Sequence, residues 1–267
     1  MPQSFMRGLE RTTRFVSLLF VLHAVAAVAD PGKLVVVGGG AIGDEIRDRF
    51  IKEAGGKGIR LLIVPHASSL DTAGEKHAAP FREKGLRNVS ILDLSDTATA
   101  VKAIEMADAI WFGGGQQNRL MDRLEAAGVV KVIRRRHAAG VVMGGTSAGA
   151  AVMSDLMIAG DSLPIDRGLA LWPEVVVDQH FVARKRFNRS LRTIMRNPTR
   201  LGVGIGESAA VLVDPVEGTG EVLGAGVVTV IDARKADRIG KGEGEQRSWR
   251  GVRVDWLQPG QLFDYRK

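Results

Sequence analysis

The sequence predicts a mixed α/β fold built on a mainly parallel β-sheet with helices on both faces. Continuous apolar runs such as "KLVVVGG" and "RLLIVPH" alternate with amphipathic segments, as buried parallel strands and their crossover helices do. The 267 residues are 45% apolar and 25% charged, which is enough to form a large buried core. Glycine turns follow three of the runs, at 38–40, 113–115 and 144–145, where open α/β sheets bind ligands.

The first two thirds of the chain contain five strand-like runs in order. "KLVVVGG" precedes a helix near Gly43–Ala54, and "RLLIVPH" precedes a helix near Ala73–Lys84. "VSILDL" is followed by a helix near Thr97–Ala107, and "DAIWFGGG" by two helical segments, Asn118–Ala127 and Val130–His137. The fifth run, "GVVMGG", leads directly into a predicted helix, "AGAAVMSDLMI". This order is typical of repeated strand–helix–strand units.

The pattern changes after Arg200. Three runs, "LGVGIG", "AAVLVDP" and "GAGVVTVID", follow one another without long helices between them. Strands joined without crossover helices pair antiparallel, so this edge of the sheet is predicted to be antiparallel or mixed. The polar stretch "KADRIGKGEGEQRSWRG" is predicted to be a loop near the end of a single domain that spans residues 30–267.

The N-terminus resembles an export signal rather than part of the fold. Three arginines precede the apolar run "FVSLLFVLHAVAAVA", which ends in the small-x-small pattern that signal peptidases accept. We therefore expect residues 1–29 to be a signal peptide, cleaved before Asp30, in a secreted or periplasmic protein. An uncleaved membrane anchor is the alternative, although the run is short for a membrane span. After cleavage no stable membrane association is expected.

Composition excludes several kinds of chemistry. The chain has no cysteine, which excludes disulfides, thiolate nucleophiles and cysteine-ligated metals. No histidines are paired at metal-ligand spacing, so neither a metal nor a cofactor is predicted. Part of the net charge of +7 lies in "KVIRRRH" and "ARKRFNRSLRTIMRNPTR". Because no aromatic stacking pattern or reader motif accompanies these clusters, nucleic acid is not predicted as a partner.

The first glycine turn matches a dinucleotide-binding spacing. In "VVVGGGAIGDEI" the spacing G-x-G-x-x-G falls on Gly38, Gly40 and Gly43, between a strand and a helix. A dinucleotide site also needs an acidic residue after the second strand, to bind the ribose. That strand ends in Pro65-His66, and the next carboxylate is Asp71. We therefore interpret the glycines as a tight strand-to-helix turn.

A second turn has the pattern of a nucleophile elbow. "MGGTSAGAAVM" contains G-x-S-x-G from Gly145 to Gly149, between a buried strand and a helix of small residues. A sharp turn would expose the Ser147 hydroxyl above the sheet edge. The amide N–H of Ala148 would then point toward a carbonyl oxygen under attack. An ordinary serine at a helix N-cap is the alternative interpretation.

A serine nucleophile needs a base, and His180 is the best placed histidine. It follows the apolar run "EVVVDQ", so its ring should emerge at a strand end near Ser147. His66 also follows a strand and is an alternative. His77 lies in a polar predicted helix, and His137 ends a basic one.

Two carboxylates could orient the imidazole. Glu207, in "VGIGESAAVLV", lies between two strand runs among small residues, where a solvated carboxylate is hard to explain. Asp178 is the competitor. It lies two positions before His180 on the same strand, so the two side chains would share a face without pointing at each other.

Four motifs together make the chain similar to a known family. They are "GGGQQNR", "GGTSAGAAVMSDLMI", "DQHFVARKRFNRSL" and "GIGESAAV". From about Lys33 to the C-terminus the sequence resembles the cyanophycinases, in the peptidase E group of serine peptidases. The resemblance implies a fold similar to class I glutamine amidotransferases, a homodimer, and a triad of Ser147, His180 and Glu207. The family's substrate-binding positions fall on Gln117, Asp178, Gln179, Arg184, Arg186 and Arg189.

The function implied by the resemblance is hydrolysis of cyanophycin to β-Asp-Arg dipeptides by a secreted serine hydrolase. The amide of Ala148 and a glycine amide from Gly114–Gly115 would hold the oxyanion. Cyanophycin carries arginine on each side-chain carboxyl of polyaspartate, and each of these arginines keeps an α-carboxylate. The three arginines 184, 186 and 189 could bind such carboxylates through paired N–H bonds. Asp178 could pair with a substrate guanidinium or with one of these arginines.

Two other functions stay open from the sequence. One is a related serine exopeptidase that acts on other aspartyl or small peptides. The other is a catalytically inactive, ligand-sensing protein that kept the fold.

Overall fold

The structure is a computed structural model that describes residues 29–159, 165–239 and 248–267. Nearly all of the predicted leader, residues 1–28, lies outside these ranges. The helices are α1 (Asp44–Glu53), α2 (Ala73–Glu83), α3 (Thr97–Met106), α4 (Gln117–Ala126), α5 (Val130–Ala138), α6 (Ala148–Ala151) and α7 (Phe187–Arg196). The strands are β1 (Leu34–Val37), β2 (Arg60–Val64), β3 (Asn88–Ile91), β4 (Ala109–Phe112), β5 (Val142–Thr146), β6 (Leu156–Ile158), β7 (Ile165–Arg167), β8 (Val175–Asp178), β9 (Leu201–Ile205), β10 (Ala209–Asp214), β11 (Thr219–Gly224), β12 (Val228–Asp232), β13 (Asp237–Ile239), β14 (Ser248–Arg250), β15 (Arg253–Leu257) and β16 (Leu262–Asp264).

The centre of the fold is an eight-stranded sheet in the order β16-β11-β10-β1-β5-β4-β2-β3. The five strands from β1 to β3 in this order are parallel. The remaining strands, β10, β11 and β16, continue the sheet from β1 in antiparallel pairs. The predicted α/β class with a mainly parallel sheet is thus confirmed. Of the three runs predicted to form an antiparallel edge of this sheet, only "AAVLVDP" (β10) does so, and "LGVGIG" (β9) and "GAGVVTVID" (β12) belong to a second sheet. Within this edge a short turn joins β10 to β11, whereas helices join the parallel strands.

A second sheet, in the order β15-β12-β9-β8, lies at the end of the first. In it β8 and β9 are parallel and α7 connects them, while β9, β12 and β15 pair antiparallel. The ends of β8 and β9 meet the glycine turn after β1. The His180 amide donates to the Gly38 carbonyl at 2.7 Å, and the Ser208 amide donates to the Gly39 carbonyl at 3.0 Å. These two bonds bring residues far apart in sequence to one edge of the large sheet.

Both faces of the large sheet are buried, as the continuous apolar strands predict. On one face α1 and α2 cover the sheet, and the rings of Phe50, Phe81 and Trp111 pack together at centroid distances of 5.0–5.6 Å. On the other face α3, α4, α5 and α6 share one core with strands β8, β9 and β12 of the second sheet. Among the described residues, no helix has both the length and the apolar character needed to cross a bilayer.

The helix predicted for "AGAAVMSDLMI" is wrong in its length. Only α6 is helical, and the chain then continues into strand β6. The carbonyls of Val152 and Met153 accept from the amides of Leu169 and Leu171, at 2.6 and 2.8 Å. A long-range partner therefore takes the carbonyls that would propagate the helix.

The stretch predicted as a loop near the C-terminus contains two strands. β13 pairs antiparallel with β14, and residues 240–247 between them lie outside the described ranges. Arg238 lies directly opposite Trp249 in this pair, with its guanidinium 5.1 Å from the ring centroid. Such a cross-strand cation–π contact stabilises a polar hairpin that its composition alone would not predict.

Candidate active site

The serine turn has the backbone geometry of a nucleophile elbow. Ser147 directly follows β5 and precedes α6, with φ 54° and ψ −112°. A Cβ atom at Gly145 would lie 2.5 Å from the Gly149 carbonyl oxygen, and one at Gly149 would lie 2.3 Å from the Phe112 carbonyl oxygen. The close approach of β5, α6 and β4 thus requires glycine at both positions. The Ser147 amide donates to the Val37 carbonyl at 3.0 Å, which ties the strained residue to β1.

His180 and Glu207 continue from Ser147 as one hydrogen-bonded series. The Ser147 Oγ lies 2.9 Å from His180 Nε2, and His180 Nδ1 lies 2.6 Å from Glu207 Oε1. The His180 side chain is 12% exposed and the Glu207 side chain 45% exposed. With the imidazole proton on Nδ1, Nε2 can accept the serine hydroxyl proton. This is the arrangement that activates a serine for attack on a carbonyl carbon.

The first glycine turn packs directly against the side chains of His180 and Glu207. Gly39 and Gly40 have φ angles of +106° and +71°. A Cβ atom at Gly39 would lie 2.4 Å from His180 Cε1, and one at Gly40 would lie 2.9 Å from Glu207 Cβ. The interpretation as a tight turn agrees with this geometry, but the sequence did not show that the turn contacts the catalytic candidates. Consecutive glycines at the end of the strand next to the elbow strand are the signal that could have indicated it.

Asp178 does not contact the imidazole. Its side chain is 1% exposed and accepts from Arg189 Nε at 2.9 Å, and also from Arg189 Nη2 and Ser190 Oγ. Arg186 Nη1 lies 3.5 Å from the same carboxylate. Of the two carboxylates left open by the sequence, Glu207 is therefore the one that faces His180.

Amide groups near the Ser147 hydroxyl come from two turns. The Gly114 amide donates to the side chain of His77 at 3.3 Å. Gly115 lines the same cleft as Ser147, and no acceptor for its amide occurs among the described residues. The Ala148 amide, at the start of α6, likewise has no acceptor in the described parts of the chain. Gly115 and Ala148 are therefore the two amides available to an oxyanion.

A polar cleft of about 400 Å³ opens beside Ser147. It lies between the turn after β4 and the segment that follows β8. Inside it, the Gln117 side chain is held by a 2.7 Å bond from its Nε2 to the Ile158 carbonyl. The cleft is lined by Gly115, Gln116, Gln117, Asn118, Ser147, Gln179, Arg184, Arg186 and Arg189.

The three arginines of the cleft have different environments. Arg186 is 8% exposed and donates to the carbonyl of Gln179 at 2.6 Å and to its side-chain oxygen. The Arg189 side chain is 12% exposed and holds Asp178. Arg184 is exposed, and no partner for its guanidinium occurs among the described residues. Its amide donates to the His180 carbonyl at 3.0 Å, which places it one turn from the imidazole. Arg184 is thus the cation best placed to meet a ligand.

His66 and His137 lie away from Ser147. His66 lines a separate cavity of about 580 Å³, next to Asp93 and Arg123. Its pKa is lowered by burial and by the Arg123 charge. His137 is buried and its Nε2 lies 2.7 Å from the Gly32 carbonyl. Burial lowers the pKa of His137 as well.

Within the described ranges, no cluster of three or more histidine, aspartate or glutamate side chains could hold a metal ion.

Comparison with known proteins gives one family. Residues 34–219 match Peptidase family S51. A cyanophycinase from Geminocystis herdmanii is 37% identical over 220 residues, which cover 75% of this chain and 80% of that protein. A cyanophycinase from a Nostoc species is 33% identical over 252 residues, which cover 86% of this chain and 84% of that protein.

Two solved structures share the fold. A peptidase from an acI-B1 Actinobacterium superposes with a TM-score of 0.67 and covers 89% of this chain and 98% of its own. A putative peptidase E from Listeria monocytogenes superposes with a TM-score of 0.52 and covers 68% and 94%. Both are 19% identical to this chain, so they support the fold alone.

The packing of the glycine turn against His180 can be tested by replacing two nearby glycines, one that contacts the imidazole and one that does not. Gly39→Ala places a methyl group within 2.4 Å of the imidazole at a residue with φ +106°, so we expect the ring to shift away from Ser147. A displacement of about 1 Å at a catalytic group costs on the order of 100-fold in kcat. Gly43→Ala, where nothing lies within 4 Å of the new methyl, should keep full peptidase activity. Steady-state kinetics of both purified variants would check this, and equal activity in the two would contradict it.

Proposed function

This chain belongs to peptidase family S51 and is a serine-type peptidase, and we propose that it degrades cyanophycin outside the cytoplasm with Ser147, His180 and Glu207 as its triad. The observation that carries the proposal is the series of 2.9 and 2.6 Å contacts from Ser147 through His180 to Glu207, beside a cleft lined by arginines. The named relatives, which are cyanophycinases, support the choice of substrate.

The reaction follows from the positions of the three side chains. Ser147 Oγ attacks the carbonyl carbon of an aspartyl peptide bond while His180 Nε2 takes the hydroxyl proton. The tetrahedral intermediate collapses, the C–N bond breaks, and His180 gives this proton to the leaving amine. Water then attacks the acyl-enzyme by the same route and releases the free carboxylate product. Throughout, Glu207 holds the imidazole in the tautomer with its proton on Nδ1 and stabilises the charged ring.

The oxyanion that forms on the attacked carbonyl is assigned to the amides of Ala148 and Gly115. Ala148 directly follows Ser147, Gly115 lines the same cleft, and neither amide has an acceptor in the described chain. Amides held in this way are aligned before the charge forms, so no reorganisation is needed at the moment of reaction. The Gly114 amide is engaged by His77, so of the two glycines expected to contribute we assign only Gly115 to this role.

The arginine-lined cleft suits a substrate with repeated carboxylates. In our proposal Arg184 binds the α-carboxylate of a side-chain arginine of cyanophycin through two parallel N–H bonds. Arg186 and Arg189 instead bind other residues of the enzyme. Arg189 neutralises the buried Asp178, and Arg186 holds Gln179 at the cleft wall. Asp178 therefore pairs with the enzyme's own arginine, which is one of the two roles expected for it.

Removal of the nucleophile tests the activity itself. Ser147→Ala should lower kcat on cyanophycin by roughly 10³-fold or more and leave the melting temperature unchanged, because only the attacking group is lost. The wild type and the variant should both be assayed on cyanophycin and on α-linked aspartyl dipeptides. Turnover of cyanophycin by the variant at the wild-type rate would contradict the proposal. Cleavage of the dipeptides alone by the wild type would instead favour an exopeptidase of other aspartyl peptides.

The roles assigned to the arginines predict opposite outcomes for two substitutions. Arg184→Ala should lower kcat/KM on cyanophycin by about 10- to 150-fold at an unchanged melting temperature, since it removes a bidentate contact made only with substrate. Arg184→Lys should recover part of the loss, because it keeps the charge without the fork. Arg189→Ala should instead lower the free energy of unfolding by about 1.5–3 kcal/mol, because it removes a charge-assisted partner of a buried carboxylate. Denaturant titration beside kinetics separates these effects, and a stability loss in Arg184→Ala would contradict the assignment.

Export rests on the N-terminal sequence, whose residues 1–28 lie outside the described structure. A peptidase that uses an insoluble polymer outside the cell must be released from the cytoplasm, which agrees with a cleavable leader. We expect the protein recovered from the exported fraction of its host to begin at or near Asp30. N-terminal sequencing checks this, and soluble cytoplasmic protein with an intact Met1 would contradict it. Assembly into a homodimer stays a prediction.

A further inference from the structure

The turn 113–116, between β4 and α4, has backbone anchors at both ends. The Gly113 amide donates to the Val64 carbonyl at 2.9 Å, which extends the pairing of β4 with β2 by one residue. The Gln116 amide donates to the Ala67 carbonyl, also at 2.9 Å. Between these anchors lie the amides of Gly114 and Gly115, whose directions decide whether the turn can hold an oxyanion.

The Gly114 amide has a side-chain acceptor, His77 from α2. Its N–H donates to His77 Nε2 at 3.3 Å, across 37 positions of sequence. The amide before Gly115 is thus bonded to His77 and the amide after it to Ala67, so the peptide groups on both sides of the Gly115 amide are held in place. Gly115 lines the cleft together with Ser147, and no acceptor for its amide occurs among the described residues.

The three glycines of the turn each contact a different neighbour. A Cβ atom at Gly113 would lie 2.7 Å from Cδ2 and Nε2 of the His77 ring. One at Gly114 would lie 3.5 Å from the Ser147 Cβ, and one at Gly115, where φ is +144°, only 2.2 Å from the Ala67 carbonyl oxygen. The turn is thus clamped between His77 on one side and Ala67 on the other, with Ser147 against its middle residue.

The protonation state of His77 agrees with a role as acceptor. Nε2 can accept only when the imidazole is neutral and its proton is on Nδ1. Burial, and to a smaller extent the charge of Lys76, lower the pKa of His77 below its ordinary value. The ring is therefore neutral near neutral pH.

We propose that His77 is a positioning residue of the peptidase reaction, which accepts the Gly114 amide and thereby aims the Gly115 amide at the oxyanion formed beside Ser147. The residue never touches the substrate. It acts through the glycine turn, so its loss should reduce stabilisation of the developing oxyanion and leave ground-state binding unchanged. This inference rests on the proposed role of Ser147 as nucleophile.

The test uses a reaction that needs the nucleophile and the oxyanion amides but no polymer. With an alkyl fluorophosphonate, Ser147 Oγ forms a bond to phosphorus, fluoride leaves, and the serine proton passes to His180. The rate of this labelling, followed by intact mass, is compared for wild type, His77→Phe, His77→Gln and Lys76→Ala. Kinetics on cyanophycin give kcat and KM separately for the same proteins.

We expect His77→Phe, which keeps a ring but has no acceptor, to label about 10- to 100-fold more slowly and to lose kcat at an unchanged KM. That range lies at or below the roughly 10²–10³-fold cost of removing an oxyanion donor outright. His77→Gln, whose amide oxygen can accept from Gly114, should recover most of the rate. Lys76→Ala, an exposed neighbour on the same helix, should label and turn over like the wild type.

Several outcomes would overturn the proposal. A wild-type labelling rate in His77→Phe would remove His77 from the mechanism while Ser147 stays the nucleophile. An equal loss in the Phe and Gln variants would show a steric role rather than a hydrogen bond. Should the Phe variant fail to fold, Gly113→Ala displaces the ring without changing it, and a wild-type rate in that variant would be equally decisive. Absence of label on Ser147 in the wild type would instead overturn the proposed nucleophile, and this inference with it.

Discussion

The docking of the second sheet on the glycine turn after β1 is the constraint on which the geometry of the candidate active site depends. Two backbone bonds, from the His180 amide to Gly38 and from the Ser208 amide to Gly39, join the two sheets at this edge. They place the imidazole against Gly39. At this position the Cβ atom of any residue other than glycine would overlap the ring. Together with the core that the two sheets share, this contact fixes the distance between Ser147 on the first sheet and His180 on the second.

At the same edge three residues have strained backbone conformations, which backbone hydrogen bonds hold in place. Ser147, His180 and Ser208 have φ angles of 54°, 48° and 57°, in a region that residues with a Cβ atom seldom adopt. Each such residue costs on the order of 1–3 kcal/mol and persists only where its neighbours over-determine it. All three donate their amides to carbonyls of β1 or of the turn that follows it. The strand at the centre of the large sheet is therefore also the support of the site.

Charge is organised in two layers around the cleft. In the inner layer the charge of the buried Asp178 is balanced by Arg189, and Arg186 also approaches this carboxylate. The outer layer is the exposed Arg184, one turn after His180. A buried pair of this kind adds rigidity and geometry more than net stability, and here it supports the wall next to Gln179. Of the arginines that follow His180, Arg186 and Arg189 therefore support the wall of the cleft, and Arg184 is exposed.

The sequence by itself determined the fold class, the elbow at Ser147 and a strand-end histidine, because period, composition and turn chemistry are local properties of the chain. It could not choose between Glu207 and Asp178, since both lie at the ends of buried strands. Which of the two side chains faces His180 depends on how the two sheets pack together. It could not end α6 after Ala151, because the carbonyls that stop the helix bond to residues 169–171. Nor could it connect His77 with the turn at 113–115, which lies 37 positions away. Contacts across sheets and between distant turns depend on packing, and only the tertiary structure decides packing.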